Sequence, residues 1–288
     1  MNKMPAHKHN LQKITVYTLL GFIIFVGILS IWLYTGSVTG AKTRAFQILP
    51  LPIALVNGSP LFMNSLSQRY TLGQKISGVN GPQKSAILDQ MALEEQLRQV
   101  AEANGVFVSQ KQIDSEYQDR ASQADLQGKN SFEDLLNTYG LSAAAYKNQV
   151  ITPELMQINL QTWFNGQKAL NTAVYSQAEN LLQRIQAGED MSVLAASFSQ
   201  DQNTKSVGGD MGFMDPANSL PELREPLSEM QAGEARILPS RFGLHIVRLE
   251  EKNGNSLHLR QIFLGTGSFD KWYAQQAQKY KIKKLITI

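Results

Sequence analysis

An uncharged run of 21 residues dominates the N-terminal part of the chain. From Ile14 to Tyr34 the sequence reads ITVYTLLGFIIFVGILSIWLY. At about 1.5 Å per helical residue, a run of this length covers about 30 Å, the thickness of a bilayer's hydrocarbon core. Tyr17, Trp32 and Tyr34 stand near its ends, where interfacial aromatics sit. Lys3, Lys8 and Lys13 precede the run, while Lys42 and Arg44 follow it. The pattern predicts a single-pass anchor in a cell membrane: a cytoplasmic tail over 1–13, a transmembrane helix over 14–34, and the bulk of the chain outside the cytoplasm. A second reading is a cleaved leader, with Val38 and Gly40 as the small residues before Ala41. The apolar core of a leader is usually about 7–15 residues, shorter than this run.

Beyond that run, the 288 residues are 43% hydrophobic and 18% charged, which excludes a disordered, fibrous or polytopic membrane protein. The formal charge of +3 resides in the N-terminal tail. Without its three lysines, 24 basic residues face 24 acidic ones, so no basic face calls for nucleic acid. The absence of cysteine excludes disulfides, thiolate metal sites and thiol nucleophiles. The four histidines are His7, His9, His245 and His258, two of them in the basic tail. No metal, cofactor or nucleotide is expected.

Residues 35–52 read as a tether. Ile53–Val56 reads as a short strand closed by the Asn57-Gly58 turn signal. Residues 53–170 form a predicted helical module. In it Leu93, Leu97, Val100 and Ala101 mark an apolar stripe, and Ser109 with Gln112 a capping box. Ser131 and Gly140 bound a helix, and Thr152-Pro153 reads as a helix start. Residues 171–264 form a predicted second domain. Ser176 with Glu179 suggests its first cap, and Gly188 its first stop. The helix MSVLAASFS, a loop GGDMGFMDPANS, a helix around 222–229, and two strands joined at Lys252–Asn255 follow. Residues 265–288 give a helix capped by Ser268, with Phe269, Trp272, Tyr273 and Tyr280 on one face, then a last strand. The mixture predicts an α+β fold with an antiparallel sheet.

Five ordered blocks resemble the parvulin family of peptidyl-prolyl cis-trans isomerases: FSQD at 198–201, GGDMGF at 208–213, LPELREPL at 220–227, MQAGEARILPS at 230–240 and RFGLHIVRLEE at 241–251. The helical module, with its VNG strand and turn, resembles that of SurA-like and PrsA-like extracytoplasmic foldases, in which the C-terminal tail returns to complete the module. The resemblance implies isomerase and chaperone function on unfolded or newly exported polypeptides containing X–Pro bonds. It also implies residue roles. His245 matches the histidine of the last family strand, and Asp201 the Asp/Cys position. Met211, Leu220, Leu223 and Phe242 match the proline pocket, Phe242 at a position where the family often has a small polar residue. The family's first strand, of the type R-H-I-L, is missing ahead of the first helix, but LHLRQIFL at 257–264 resembles it. The domain is therefore expected to be circularly permuted, with 257–264 paired to 243–250 and Gln261 in the first-strand histidine's place. His258 is expected on the opposite face of that strand.

Glutamine donates and accepts hydrogen bonds but does not titrate near neutrality. A non-catalytic membrane-tethered chaperone or scaffold with a degenerate parvulin domain is therefore the alternative function. A hydrolase has no nucleophile motif to support it.

Overall fold

The computed structural model describes residues 24–77, 80–127 and 131–288. The expected cytoplasmic tail and the first part of the expected membrane span lie outside the described residues. Residues 24–34 are helical (α1). No helix among the described residues is long and apolar enough to cross a membrane. The chain divides into two compact units, one reaching to Glu95 and including Lys281–Ile288, the other Gln96–Tyr280.

In the first unit, α2 (Ala41–Ile48) leads to strands β1 (Pro52–Val56) and β2 (Ser59–Phe62), then to α3 (Met63–Ser77) and the first part of α4 (Lys84–Ala103). Asn57 and Gly58 both take positive φ, 48° and 93°. That geometry matches the twist of a two-residue hairpin. The last strand, β7 (Ile282–Lys284), pairs antiparallel with β1 and gives the order β2-β1-β7. Ile53, Ala54, Leu66, Leu88 and Ile286 form the core of this unit, with Leu33 and Phe46 buried among them.

The second unit begins with an arm of helices: the end of α4, α5 (Gln110–Gln127), α6 (Phe132–Tyr139), α7 (Ala143–Tyr146) and α8 (Thr152–Gly166). The Ser109/Gln112 box is formed, with reciprocal bonds of 3.0 and 3.2 Å. Ser131 caps α6 through Asp134, and Gly140 closes it in the left-handed conformation. Two expectations fail here. Leu93 is 54% exposed, because the buried face of α4 runs through Leu88, Ala92, Val100 and Ala101. Thr152 opens α8 with Pro153 in its first turn, as expected, but Thr152 is not an N-cap, because the residue before it is already helical. A π-helical turn (Lys147–Ile151) connects α7 to α8, and the Thr152 hydroxyl bonds back to Lys147 O at 2.9 Å. The wider turn accommodates a proline ring and its missing N–H inside a continuing helix.

The rest of this unit is α+β. Helices α9 (Thr172–Gln186) and α10 (Met191–Phe198) precede β3 (Asp210–Met214). Then come α11 (Pro221–Ser228), β4 (Ala235–Ser240), β5 (Gly243–Asn253), β6 (Ser256–Gly265) and α12 (Phe269–Ala277). The sheet is antiparallel in the order β3-β6-β5-β4. The expected pairing of 257–264 with 243–250 is present, from Leu244↔Leu264 to Leu249↔Leu259. Helix α9 starts at Thr172, so Ser176 lies inside it and caps nothing, while Glu179 pairs with Lys168 at 2.7 Å. The Gly-rich stretch expected as a loop contributes β3. Strand β4, unforeseen in the sequence, is an edge strand, which is why it tolerates Pro239.

One face of this sheet packs Leu244, Ile246, Ile262 and Leu264 against α9 and α10. The other packs Leu238, Val247, Leu249, Leu257 and Leu259 against Leu223 and Leu227 of α11 and against Met230. Ser268 caps α12 as expected, and Phe269 and Trp272 pack on Trp163 and Phe164 of α8.

Candidate functional site

Strand alternation puts the predicted residues on one face. In β5, His245 shares its face with Val247 and Leu249; in β6, Gln261 shares its face with Leu257 and Leu259; in β4, Ser240 shares its face with Leu238. The register sets Leu238 opposite His245 and Val247 opposite Gln261. A polar row therefore continues from the apolar patch on which Met211, Leu220 and Leu223 pack.

The row is a continuous chain of hydrogen bonds. Ser240 Oγ lies 2.8 Å from His245 Nε2. His245 Nδ1 lies 3.0 Å from Gln261 Oε1. Gln261 Nε2 donates to Asp201 Oδ2 at 2.8 Å. Thr204 Oγ1 donates to the same oxygen at 2.6 Å, and the Asn203 N–H to Oδ1 at 3.0 Å. His245 is 8% exposed and Gln261 9%. Phe263 lies against the imidazole, with ring centroids 5.0 Å apart.

Local sequence explains how each group reaches the row. In FSQD, buried Ser199 accepts from the Phe263 N–H at 3.1 Å. The Gln200 N–H donates to Phe263 O at 2.8 Å, and the Gln200 side chain accepts from Gly265. This stretch lies along β6 and delivers Asp201 beside Gln261. In GGDMG, Gly209 takes φ +77°, and a Cβ there would collide with Gln261 O. Its own carbonyl accepts from the Gln261 N–H at 2.8 Å. Asp210 then closes the turn by accepting from the Gly212 N–H at 2.9 Å.

Two contacts hold the other end. Asn165, buried at the end of α8, donates to Ser240 O at 2.8 Å and accepts from Thr266 at 2.5 Å. Glu222 of α11 accepts three bonds of 3.0 Å from Arg241: its backbone N–H, Nε and Nη2. The Glu222 side chain is only 6% exposed. This clip ties the β4–β5 turn to the helix that carries Leu223. Helix α11 is itself joined to α5 of the arm by Arg224–Asp119 and Lys111–Glu225.

Burial pushes the His245 imidazole below its ordinary value, against the opposing effects of Gln261, Glu222 and Asp201. The ring is neutral at pH 7. Burial raises the Asp201 carboxyl, but the bonds from Thr204, Asn203 and Gln261 outweigh it and hold the group below the usual carboxylate range. The site thus pairs a neutral imidazole with an ionised carboxylate, through a neutral amide.

Of the predicted residues, the structure brings together His245, Asp201 and Gln261 as one row, and Met211, Leu220 and Leu223 as one apolar set. Phe242 does not join that set. It occupies the β4–β5 turn, where its ring points outward, 60% exposed beside the Arg241 guanidinium. Its contribution to the row is a backbone N–H, which donates to Ser240 Oγ at 3.1 Å. His258 lies on the opposite face as expected, bonded to Asp210 at 2.8 Å. Sequence reasoning missed Ser240, Thr204, Asn165 and the Glu222–Arg241 clip. The signal available for the first two was a small hydroxyl residue near each matched position. No group of three or more metal-ligating residues occurs among the described residues.

The family model described as Rotamase, PPIC-type PPIase domain, matches residues 156–251. The Chaperone SurA of Pseudomonas aeruginosa is 40% identical over 73 residues, 25% of this chain and 18% of that protein. The Foldase protein PrsA of Caldanaerobacter subterraneus subsp. tengcongensis is 27% identical over 173 residues, 58% of this chain and 56% of that protein. The matched stretches thus span less than two thirds of either relative. The solved peptidylprolyl isomerase PrsA of Bacillus anthracis aligns over 67% of this chain and 86% of that one, at 18% identity and a TM-score of 0.22, too loose to carry residue roles. The chain carries a PPIC-type parvulin domain, and it has SurA and PrsA foldases among its homologues.

Proposed function

We propose that this chain is a peptidyl-prolyl cis-trans isomerase and chaperone. It acts on unfolded or newly exported polypeptides at the outer side of a membrane, anchored by residues 14–34. The observation that carries the reading is the Ser240–His245–Gln261–Asp201 row set beside the Met211, Leu220 and Leu223 patch.

Rotation about an X–Pro bond costs about 18–20 kcal/mol because it breaks amide resonance. No covalent bond is made or broken, so no nucleophile is needed. The planar amide is the more polar state. An apolar patch that takes the pyrrolidine ring and sheds water disfavours it relative to the twisted state. Hydrogen-bonding groups beside the patch then act on the twisted amide selectively, which is what lowers a barrier. Ser240 and His245, backed by Gln261 and Asp201, are those groups here.

The parvulin sheet is read as circularly permuted, with β6 in the place of the family's first strand. Its position between β3 and β5 supports this, as does the end of the family match at residue 251, ahead of β6. The anchor is supported by the described part of α1, where Ile24, Phe25, Ile28 and Ile31 are exposed apolar side chains. The helical arm, with α12 packed on α8, is assigned as the client-binding chaperone module.

The test is the isomerisation rate of a short X–Pro peptide series with the detergent-solubilised full chain, beside His245→Ala and Asp201→Ala. Catalysis by the full chain, reduced at least tenfold in both folded variants, is expected. The non-catalytic chaperone reading, which Gln261 favours, requires no catalysis while aggregation of an unfolded client is still suppressed.

A further inference from the structure

Within that proposed site, we propose that Gln261 is a positioning residue that locks His245 in a single neutral tautomer, with the proton on Nδ1 and Nε2 held as an acceptor.

An ionised carboxylate accepts and never donates. Asp201 Oδ2 lies 2.8 Å from the Gln261 amide. The group facing it must therefore be the amide nitrogen, because a carbonyl oxygen there would oppose two acceptors. With the nitrogen committed, the Gln261 carbonyl faces His245 Nδ1 at 3.0 Å. A carbonyl only accepts, so Nδ1 carries the proton. A neutral imidazole has one N–H, so Nε2 is bare and accepts from Ser240 at 2.8 Å. The Ser240 hydroxyl is oriented by the Phe242 N–H, which occupies its oxygen at 3.1 Å. Thr204 fills a second acceptor site on Asp201. Every hydrogen bond in the row therefore points one way, from the β4–β5 turn towards and onto the carboxylate.

A histidine at this position would let the row reverse, since an imidazole can take a proton on one nitrogen and release it from the other. An amide cannot. Reversal here would need the Gln261 amide to turn over and place its oxygen against Asp201. The charged groups facing the ring are Asp201, on the segment after α10, and Glu222 of α11, whose charge is paired with Arg241. Helix α8 contributes the neutral Asn165 at Ser240. The acceptor nitrogen beside the pocket is therefore constant through the neutral range.

The test is long-range 1H–15N correlation spectroscopy of the full chain in detergent, labelled with 15N-histidine. The His245 ring is assigned by its loss in His245→Asn and by its retention in His258→Gln. A single species protonated at Nδ1 and bare at Nε2 is expected between pH 6.5 and 8. The Nε2–H tautomer, or a mixture of the two, overturns the proposal. Gln261→Ala supplies a second readout: it removes the acceptor from Nδ1 and leaves either ring nitrogen free to hold the proton, so a mixture of tautomers is expected. A ring still held as the Nδ1–H species alone in that variant also overturns the lock. The spectra are independent of turnover. A locked ring without isomerase activity rejects the functional reading alone, whereas a tautomer mixture with full activity rejects the lock alone.

Discussion

Replacing Gly209 with alanine tests how the site is assembled. Gly209 has φ +77°, and an added Cβ would collide with the carbonyl oxygen of Gln261 and lie 2.9 Å from the Ala195 Cβ. Both neighbours are fixed, one as backbone of β6 and the other as a buried side chain of α10. A left-handed alanine costs about 1–2 kcal/mol. Displacing the strand loses the 2.8 Å bond from the Gln261 N–H, about 1 kcal/mol. The sum is about 2–3 kcal/mol. Gly212 is the internal control: its φ is +67° and nothing lies within 4 Å of the position of its Cβ. Gly212→Ala should incur only the backbone cost, about 1–2 kcal/mol. The assay is urea unfolding followed by Trp163 and Trp272 in a Trp32→Phe background, so that the signal reports the second unit. Gly209→Ala should be the less stable variant by about 1 kcal/mol or more. Equal losses at the two positions would refute the claim that close approach of GGDMG to β6 fixes Gln261.

Three further outcomes follow from the same geometry. His245 has a lowered folded value, so its contribution to stability is complete above its ordinary value of 6.5 and is lost as pH falls from there through the folded value; His245→Gln should flatten the pH dependence of the urea midpoint on the acid side of 6.5. Asn165→Ala leaves the buried Ser240 carbonyl without its donor and should destabilise the second unit by about 2–3 kcal/mol in the same assay, with a fall in any isomerase kcat/KM. Glu222→Gln keeps the shape of the clip but weakens three bonds from Arg241, and should cost about 2 kcal/mol by urea unfolding, more than Lys111→Ala at the exposed Lys111–Glu225 pair.

Much of this site was legible in the sequence because its parts are encoded locally. The order FSQD, GGDMG, LPEL and GLHI carries the aspartate, the turn glycines, the apolar set and the histidine. Strand alternation then places His245 and Gln261 on one face once the β5–β6 pairing is granted. What was not legible depends on contacts between distant segments. Ser240 acquires a role only because β4 pairs with β5, and β4 is disguised by Arg236 and Pro239, which an edge strand tolerates. Phe242 occupied a plausible position by alignment, but the turn points its ring into solvent. Asn165 lies at the end of an arm helix, 75 residues from the carbonyl it holds. Thr152 does not cap α8 because a π turn, invisible to cap statistics, runs straight into that helix ahead of Pro153.

Pocket and chemistry are observed together in one sample. The full chain, labelled at methionine and leucine methyls, is titrated with an Ala–Pro peptide while cis–trans exchange of the peptide is read in the same sample. The methyls of Met211, Leu220 and Leu223 are expected to shift in concert, and exchange to accelerate in proportion to added protein. Unmoved pocket methyls, or bound peptide with exchange at its uncatalysed rate, would contradict the proposed function.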